Sequence, residues 1–145
     1  MENIKLMFSS EKNDWSTPQD FYDELDREFH FDIDLCADET NHKHENYFSE
    51  ADNALEQDWE GYTGFCNPPY GKQIKDWVRK AYYEGNKPNT TIVMLIPART
   101  DTIYFHKYIY HKAEIRFIKG RLKFGDSKNS APFPSMVVIF RGPEE

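Results

Sequence analysis

Thr91-Ile92-Val93-Met94-Leu95-Ile96 is an unbroken apolar run in a chain whose residues are 30% charged. Six residues cannot span a bilayer, which takes about 20 in a helix. The run has no polar alternation, so neither face of a strand built from it can meet water. It therefore reads as a central strand buried on both faces. Such a strand needs covers on two sides, and the sequence supplies candidates. Phe21, Leu25 and Phe29 recur at helical spacing beside Tyr22, and Ile74, Trp77, Val78, Ala81 and Tyr82 follow an i, i+3, i+4, i+7, i+8 pattern. The fold class that follows is α/β, mostly parallel, with helices on both faces.

The remaining segments fit that plan. Thr17 is a candidate N-cap, with Pro18 at the first helical position and Asp20 placed where an acid favours the dipole. Phe31 to Ala37 alternates as a strand that ends in small residues. Residues 38–52 form a polar loop, Ala54 to Trp59 reads as a short strand approach, and Thr63 to Cys66 as a strand. Gly85 to Pro88 stops the second helix. A helix is expected over Ile103 to Tyr110, then strands at Glu114 to Ile118, Arg121 to Phe124 and Met136 to Arg141, with the last two as an antiparallel edge. Residues 125–135, rich in Gly, Ser, Asn and Pro, read as a loop. No internal repeat appears. At 145 residues the chain reads as one domain, 1–145, with polar residues 1–13 expected to be flexible or to lie along the surface.

Between the two helices stands Phe65-Cys66-Asn67-Pro68-Pro69-Tyr70-Gly71. Two prolines remove two N–H donors and fix φ, so neither helix nor ladder continues through them. Each also pushes the residue before it into extended backbone. The product is a stiff corner that projects Asn67 and Tyr70 and frees the Asn67 and Pro68 carbonyls. Such a corner can grip a planar ring by an exocyclic amine while stacking on the ring; it can equally be a plain turn.

Composition narrows the field. There is no membrane-spanning run and no signal-peptide core. Cys36 and Cys66 lack C-x-x-C spacing, which argues against zinc or a disulfide framework and for small buried residues in a reducing compartment. His42, His44 and Glu45 lie in a polar loop without a ligand cluster and read as surface rather than metal site. A formal net charge of −7 makes non-specific binding to nucleic acid weak and requires any such contact to use a local basic patch.

Taken together, Trp15-Ser16-Thr17-Pro18, Asp34-Leu35-Cys36-Ala37, Asp58-Trp59, the Asn-Pro-Pro-Tyr-Gly corner, Leu95 to Thr102 and Gly120 to Phe124 resemble, in this order, phage-encoded Dam-like DNA N6-adenine methyltransferases. The resemblance runs from Trp15 to Phe140. It implies a compact Rossmann-like fold, S-adenosylmethionine as cofactor, double-stranded DNA as partner, no metal, and a phage- or prophage-encoded protein in the cytoplasm of a bacterial host. The chain departs from the pattern where Asp38-Glu39-Thr40 follows Ala37 in place of a glycine-rich motif, and it is too short for a separate target-recognition domain.

The resemblance assigns Asn67, Pro68, Pro69 and Tyr70 to catalysis. Thr17, Pro18, Asp34, Cys36, Ala37, Asp58, Trp59 and Asn67 fall to the cofactor, with Thr17 and Asp34 at its amino-acid end and Asp58 at its adenine. Glu45 and Asp52 are candidates for the ribose, and Lys72, Arg99, Arg121, Lys123 and Lys128 for DNA phosphates. Thr17-Pro18 as a simple cap, and Asp34 and Asp58 as solvated strand ends, stay open. So do a protein-glutamine or RNA-adenine methyltransferase, which would use the same corner, and an inactive DNA- or cofactor-binding module.

Overall fold

The computed structural model describes residues 15–125 and 129–145. Expectations for residues 1–13 and for Lys128 fall outside the described residues.

Five strands form one sheet: β1 (Ile33–Asp34), β2 (Thr63–Cys66), β3 (Thr91–Pro97), β4 (Glu114–Phe117) and β5 (Ser135–Arg141), in the order β1-β2-β3-β5-β4. β1, β2 and β3 are parallel. β5 lies antiparallel between β3 and β4. The sheet is thus only partly parallel, and its reversed strand is internal, with β4 at the edge.

The apolar run behaves as its pattern predicts. Ile92 through Ile96 are fully buried, and they alternate between two cores. Ile92, Met94 and Ile96 pack on the side covered by α2 (Ile74–Gly85) and by a π-helical turn at Phe105–Ile109. Val93 and Leu95 pack on the side covered by α1 (Gln19–Phe29), through Tyr22 and Leu25. Five fully buried side chains contribute on the order of 10 kcal/mol before the entropy of ordering is subtracted.

Several segments differ from expectation. α1 is capped at Pro18 with no side-chain cap bond, so Thr17 is not an N-cap. β1 is two residues long, with flanking bonds from Asp32 N–H to the Thr63 carbonyl at 3.0 Å and from Leu35 N–H to the Phe65 carbonyl at 2.8 Å. Its outer edge is covered by the loop that follows, where Asp34 N–H donates to the Asn46 carbonyl at 2.9 Å and Phe48 N–H to the Asp34 carbonyl at 2.9 Å. Ala54–Glu56 is a 3-10 turn rather than a strand, with its carbonyl at Ala54 taken by the buried Trp59 indole at 2.9 Å. The expected helix over Ile103 to Tyr110 is present over residues 103–109, with π-helical geometry at Phe105–Ile109. Arg121 to Phe124 is not a strand: the chain has left the sheet there, and the Leu122 carbonyl accepts from the Ala131 N–H of the following loop at 2.8 Å.

The topology fixes where the site must be. β4 is reversed relative to β5, and β5 relative to β3, so β4 points the same way as β1, β2 and β3. The C-terminal ends of β1 to β4 and the start of β5 therefore share one edge of the sheet. In open α/β sheets that edge is where ligands bind.

Candidate active site

β2 delivers the corner. Gly64 is pressed against β1 so closely that a Cβ there would sit 2.6 Å from the Leu35 side chain, which brings the ends of β1 and β2 side by side. β2 then stops at Cys66, the prolines turn the chain, and Gly71 completes the turn at φ +117°, a value that favours glycine.

The Asn67 side chain is held at one end only. Its Nδ2 donates to the Trp15 carbonyl at 2.6 Å and to the Thr17 hydroxyl at 3.0 Å. Its Oδ1 is buried and has no hydrogen-bond partner among the described residues. A carbonyl can only accept, so the amide nitrogen must face Trp15 and the oxygen must face away. Beside it, the Pro68 carbonyl accepts no hydrogen bond among the described residues. Two acceptors at one corner therefore lack donors. A buried unmade acceptor costs about 1–3 kcal/mol.

Tyr70 lies half-buried in an aromatic cluster. Its ring is stacked with Trp15 at 6.3 Å and meets Phe124 and Phe133 edge-on at 6.1 and 5.6 Å. Its hydroxyl donates to the Leu95 carbonyl at 3.2 Å. Burial raises the phenol well above its ordinary range, so it stays protonated and acts as a donor.

The β1 end borders the same corner. Asp34 is 3% exposed, and each carboxylate oxygen takes a loop amide: Oδ1 from Cys36 at 3.3 Å and Oδ2 from Lys43 at 3.0 Å. Burial raises its pKa to about 6, and the two amides and the Lys43 charge pull against that rise. Lys43 reaches across to Gln19 at the start of α1 at 3.1 Å, which ties the loop to the helix that Thr17 and Pro18 precede. Burial pushes the Cys36 thiol up to about 12 and that of Cys66 well above its usual value, so neither is a nucleophile.

Thr17, Pro18, Asp34, Cys36, Ala37, Asn67, Pro68 and Tyr70 are thus gathered at one edge. Asp58 and Trp59 are not. They precede β2 and lie at its opposite end, roughly 13 Å from Asn67 at about 3.3 Å per residue. Asp58 is exposed there and pairs with Lys87 at 3.3 Å. Trp59 is fully buried, and its backbone N–H donates to the buried Glu84 carboxylate at 2.7 Å. Asp52 closes a capping box on Ser49, and Glu45 is exposed in the loop.

Lys72, Arg99, Arg121 and Lys123 are exposed and follow the β2 corner, β3 and β4 respectively, so all stand on the edge that carries Asn67. Arg121 is steadied by the Ala131 carbonyl at 3.3 Å. The other half of that edge, after β1, carries Asp34, Asp38, Glu39, Glu50 and Asp52. Charge therefore leans along the edge, acidic beside β1 although Lys43 lies there, and basic from β2 to β4 although Asp101 follows β3. The acidic half suits a cationic ligand, and the Asn67 acceptor lies at the boundary. Among the described residues no cluster of His, Cys, Asp and Glu could hold a metal ion, and no helix is long and apolar enough to cross a membrane.

The sequence had not pointed to the anchoring roles of Trp15 and Ser16 or to the aromatic pair Phe124 and Phe133. An aromatic two residues before Thr17-Pro18 was the one available signal.

The chain is 31% identical over 139 residues to a DNA N-6-adenine-methyltransferase of Haemophilus phage HP1, covering 90% of this chain and 80% of that one. It is 33% identical over 110 residues to a DNA N-6-adenine-methyltransferase of Escherichia phage T1, covering 74% of this chain and 45% of that longer relative. Residues 6–144 match the family described as DNA N-6-adenine-methyltransferase (Dam), and the chain belongs to that family.

Proposed function

We propose that this protein methylates the exocyclic N6 of adenine in DNA, using S-adenosylmethionine. The observation that carries the reading is the Asn67 amide: nitrogen doubly anchored, oxygen buried without a donor among the described residues. The N6 amine of adenine offers two hydrogens to two acceptors, Asn67 Oδ1 and the Pro68 carbonyl. Accepting both hydrogens withdraws the nitrogen lone pair from the ring and aims it outward. As positive charge builds on N6, the same two oxygens stabilise it, already oriented and shielded from water. Bound S-adenosylmethionine supplies a methyl group made electrophilic by its sulfonium. Asp34, Cys36, Ala37 and Pro18 would hold it at the acidic half of the edge, while the Thr17 hydroxyl is taken by Asn67.

The base must leave the duplex to reach this corner, at a cost of about a few kcal/mol. The Tyr70 ring and its aromatic neighbours can return roughly 1–3 kcal/mol by stacking. Lys72, Arg99, Arg121 and Lys123 would take the phosphates. Their grouping favours a polyanionic substrate over a protein glutamine, although the corner itself would fit either amine.

Transfer of labelled methyl from S-adenosylmethionine to duplex DNA, followed by digestion to nucleosides, tests the reading. N6-methyladenine is expected. Label found only in RNA or in a glutamine peptide, or no transfer at all, would overturn it.

A further inference from the structure

The Asn67 amide must be oriented, because only its oxygen can receive a hydrogen from the substrate amine. We infer that the Trp15–Thr17 segment is a strap whose role is to fix that orientation, and that Thr17 is its positioning side chain. The inference rests on the reading of Asn67 given under Proposed function.

The geometry accounts for every hydrogen on the amide. One N–H goes to the Trp15 carbonyl and the other to the Thr17 hydroxyl, at 2.6 and 3.0 Å. Both anchors come from a segment about fifty residues away in sequence. Thr17 is only 4% exposed and makes no cap bond to α1, so its hydroxyl oxygen is left for Asn67. Pro18 restricts Thr17 to extended backbone and so holds it in place. The strap is itself pinned. The Ser16 carbonyl accepts from Gly125 N–H at 2.9 Å, and the Trp15 ring packs edge-on against Phe124 and Phe133 at 5.4 and 5.1 Å. With the Thr17 anchor removed, the Trp15 carbonyl still selects the amide nitrogen, but one N–H loses its partner and the amide is held less tightly at the angle that aims its oxygen at the substrate amine.

Thr17→Ser and Thr17→Ala differ by one oxygen and make the test. The serine variant is expected to keep the wild-type kcat. The alanine variant is expected to lose about tenfold, the worth of one ordinary hydrogen bond, with affinity for S-adenosylhomocysteine within about twofold of wild type. A second readout needs no substrate: hydrogen exchange of the Asn67 side-chain amide, followed by 15N NMR, is expected to accelerate in the alanine variant and not in the serine variant.

Equal kcat and equal amide exchange in the two variants would overturn the inference. So would an alanine variant that binds S-adenosylhomocysteine weakly yet keeps kcat at saturation, which would make Thr17 a cofactor contact. Should the alanine variant fail to fold, Thr17→Cys replaces it, since sulfur accepts poorly at nearly serine's size; a cysteine variant matching serine in kcat and exchange would overturn the inference equally. Because exchange is read without DNA, wild-type protein that fails to methylate DNA would sink the substrate assignment while the exchange comparison still decides the strap.

Discussion

The Tyr70 hydroxyl closes on the Leu95 carbonyl at 3.2 Å, one residue past the last pairing of β2 with β3, Cys66 with Met94. β2 has turned away into the corner at that point, and the phenol takes up a ladder acceptor that β2 no longer reaches. The corner is therefore moored to the most deeply buried strand of the sheet.

This gives Tyr70 two separable contributions. Tyr70→Phe keeps the ring and loses the mooring, and is expected to lower kcat only a few-fold, in line with one neutral hydrogen bond of about 1 kcal/mol. Tyr70→Ala also removes the surface on which a base could stack and should cost roughly 10- to 100-fold in kcat/KM. Steady-state kinetics on duplex DNA of the two variants checks the order.

Asn67→Ala removes the oriented acceptor and leaves both strap anchors without a donor. Methyl transfer is expected to fall by at least about 100-fold, as on removing one preorganised group that stabilises a transition state. Binding of S-adenosylhomocysteine by calorimetry should change little.

Asp34 carries a signed pH dependence. Its folded-state pKa lies near 6 against an ordinary value of 3.8, raised by burial. The folded protein therefore holds this proton more tightly than the unfolded chain. The stability that follows is fully present below about pH 4 and is lost as pH rises through about 6. Relative to Asp34→Asn, the wild type should lose about 2 kcal/mol of unfolding free energy between pH 4 and pH 7. Denaturant melts of both proteins across that range supply the measurement. Activity runs the other way: the ionised carboxylate holds the Cys36 and Lys43 amides, so turnover should decline below about pH 6.

The basic half of the edge predicts a salt dependence. Each phosphate contact contributes about 0.9 to the slope of log K against log salt. Arg121→Ala combined with Lys123→Ala should flatten that slope by nearly two contacts and leave cofactor affinity unchanged. Fluorescence anisotropy with a labelled duplex at several salt concentrations reads it, and a slope that does not move places the DNA elsewhere.

Two carboxylates near the start of β2 should separate cleanly. Glu84 is 5% exposed, accepts the Trp59 N–H and pairs with Lys87 at 2.7 Å. Glu84→Ala leaves a buried amide unpaired and should destabilise by about 2–4 kcal/mol. Asp58 is solvent-exposed, and Asp58→Ala should leave both stability and S-adenosylhomocysteine affinity close to wild type. Thermal melts and calorimetry on the pair would show it, and a large loss of cofactor affinity at Asp58 would return that residue to the adenine site.

What could be read in the sequence followed from local rules. The Ile92–Ile96 strand, both amphipathic helices and the Asn-Pro-Pro corner each announce themselves within a few residues, through periodicity or through proline's missing donor. What could not be read depends on pairing across the chain. Arg121 to Phe124 has strand-like residues, but its partner is the loop at Ala131 rather than the sheet, and nothing local signals that. Thr17 looks like a cap because Thr-Pro before a helix usually is one; its actual partner, Asn67, is fifty residues away. Asp58 reads as a strand-end acid, yet only the parallel pairing of β2 with its neighbours shows that it stands at the far end.

The strap that clasps Asn67 also has a consequence for the order of events in folding. Its carbonyl at Ser16 is held by Gly125, and Trp15 rests on Phe124 and Phe133, so the clasp joins contacts made early in synthesis to others made late. Contacts of such long sequence separation close slowly, after the local helices have formed. During translation the strap emerges before Asn67, which it grips, and well before Phe124, Gly125 and Phe133, which pin it. The corner can bend and the sheet can begin to assemble, but the methyl-transfer geometry is the last thing the chain acquires.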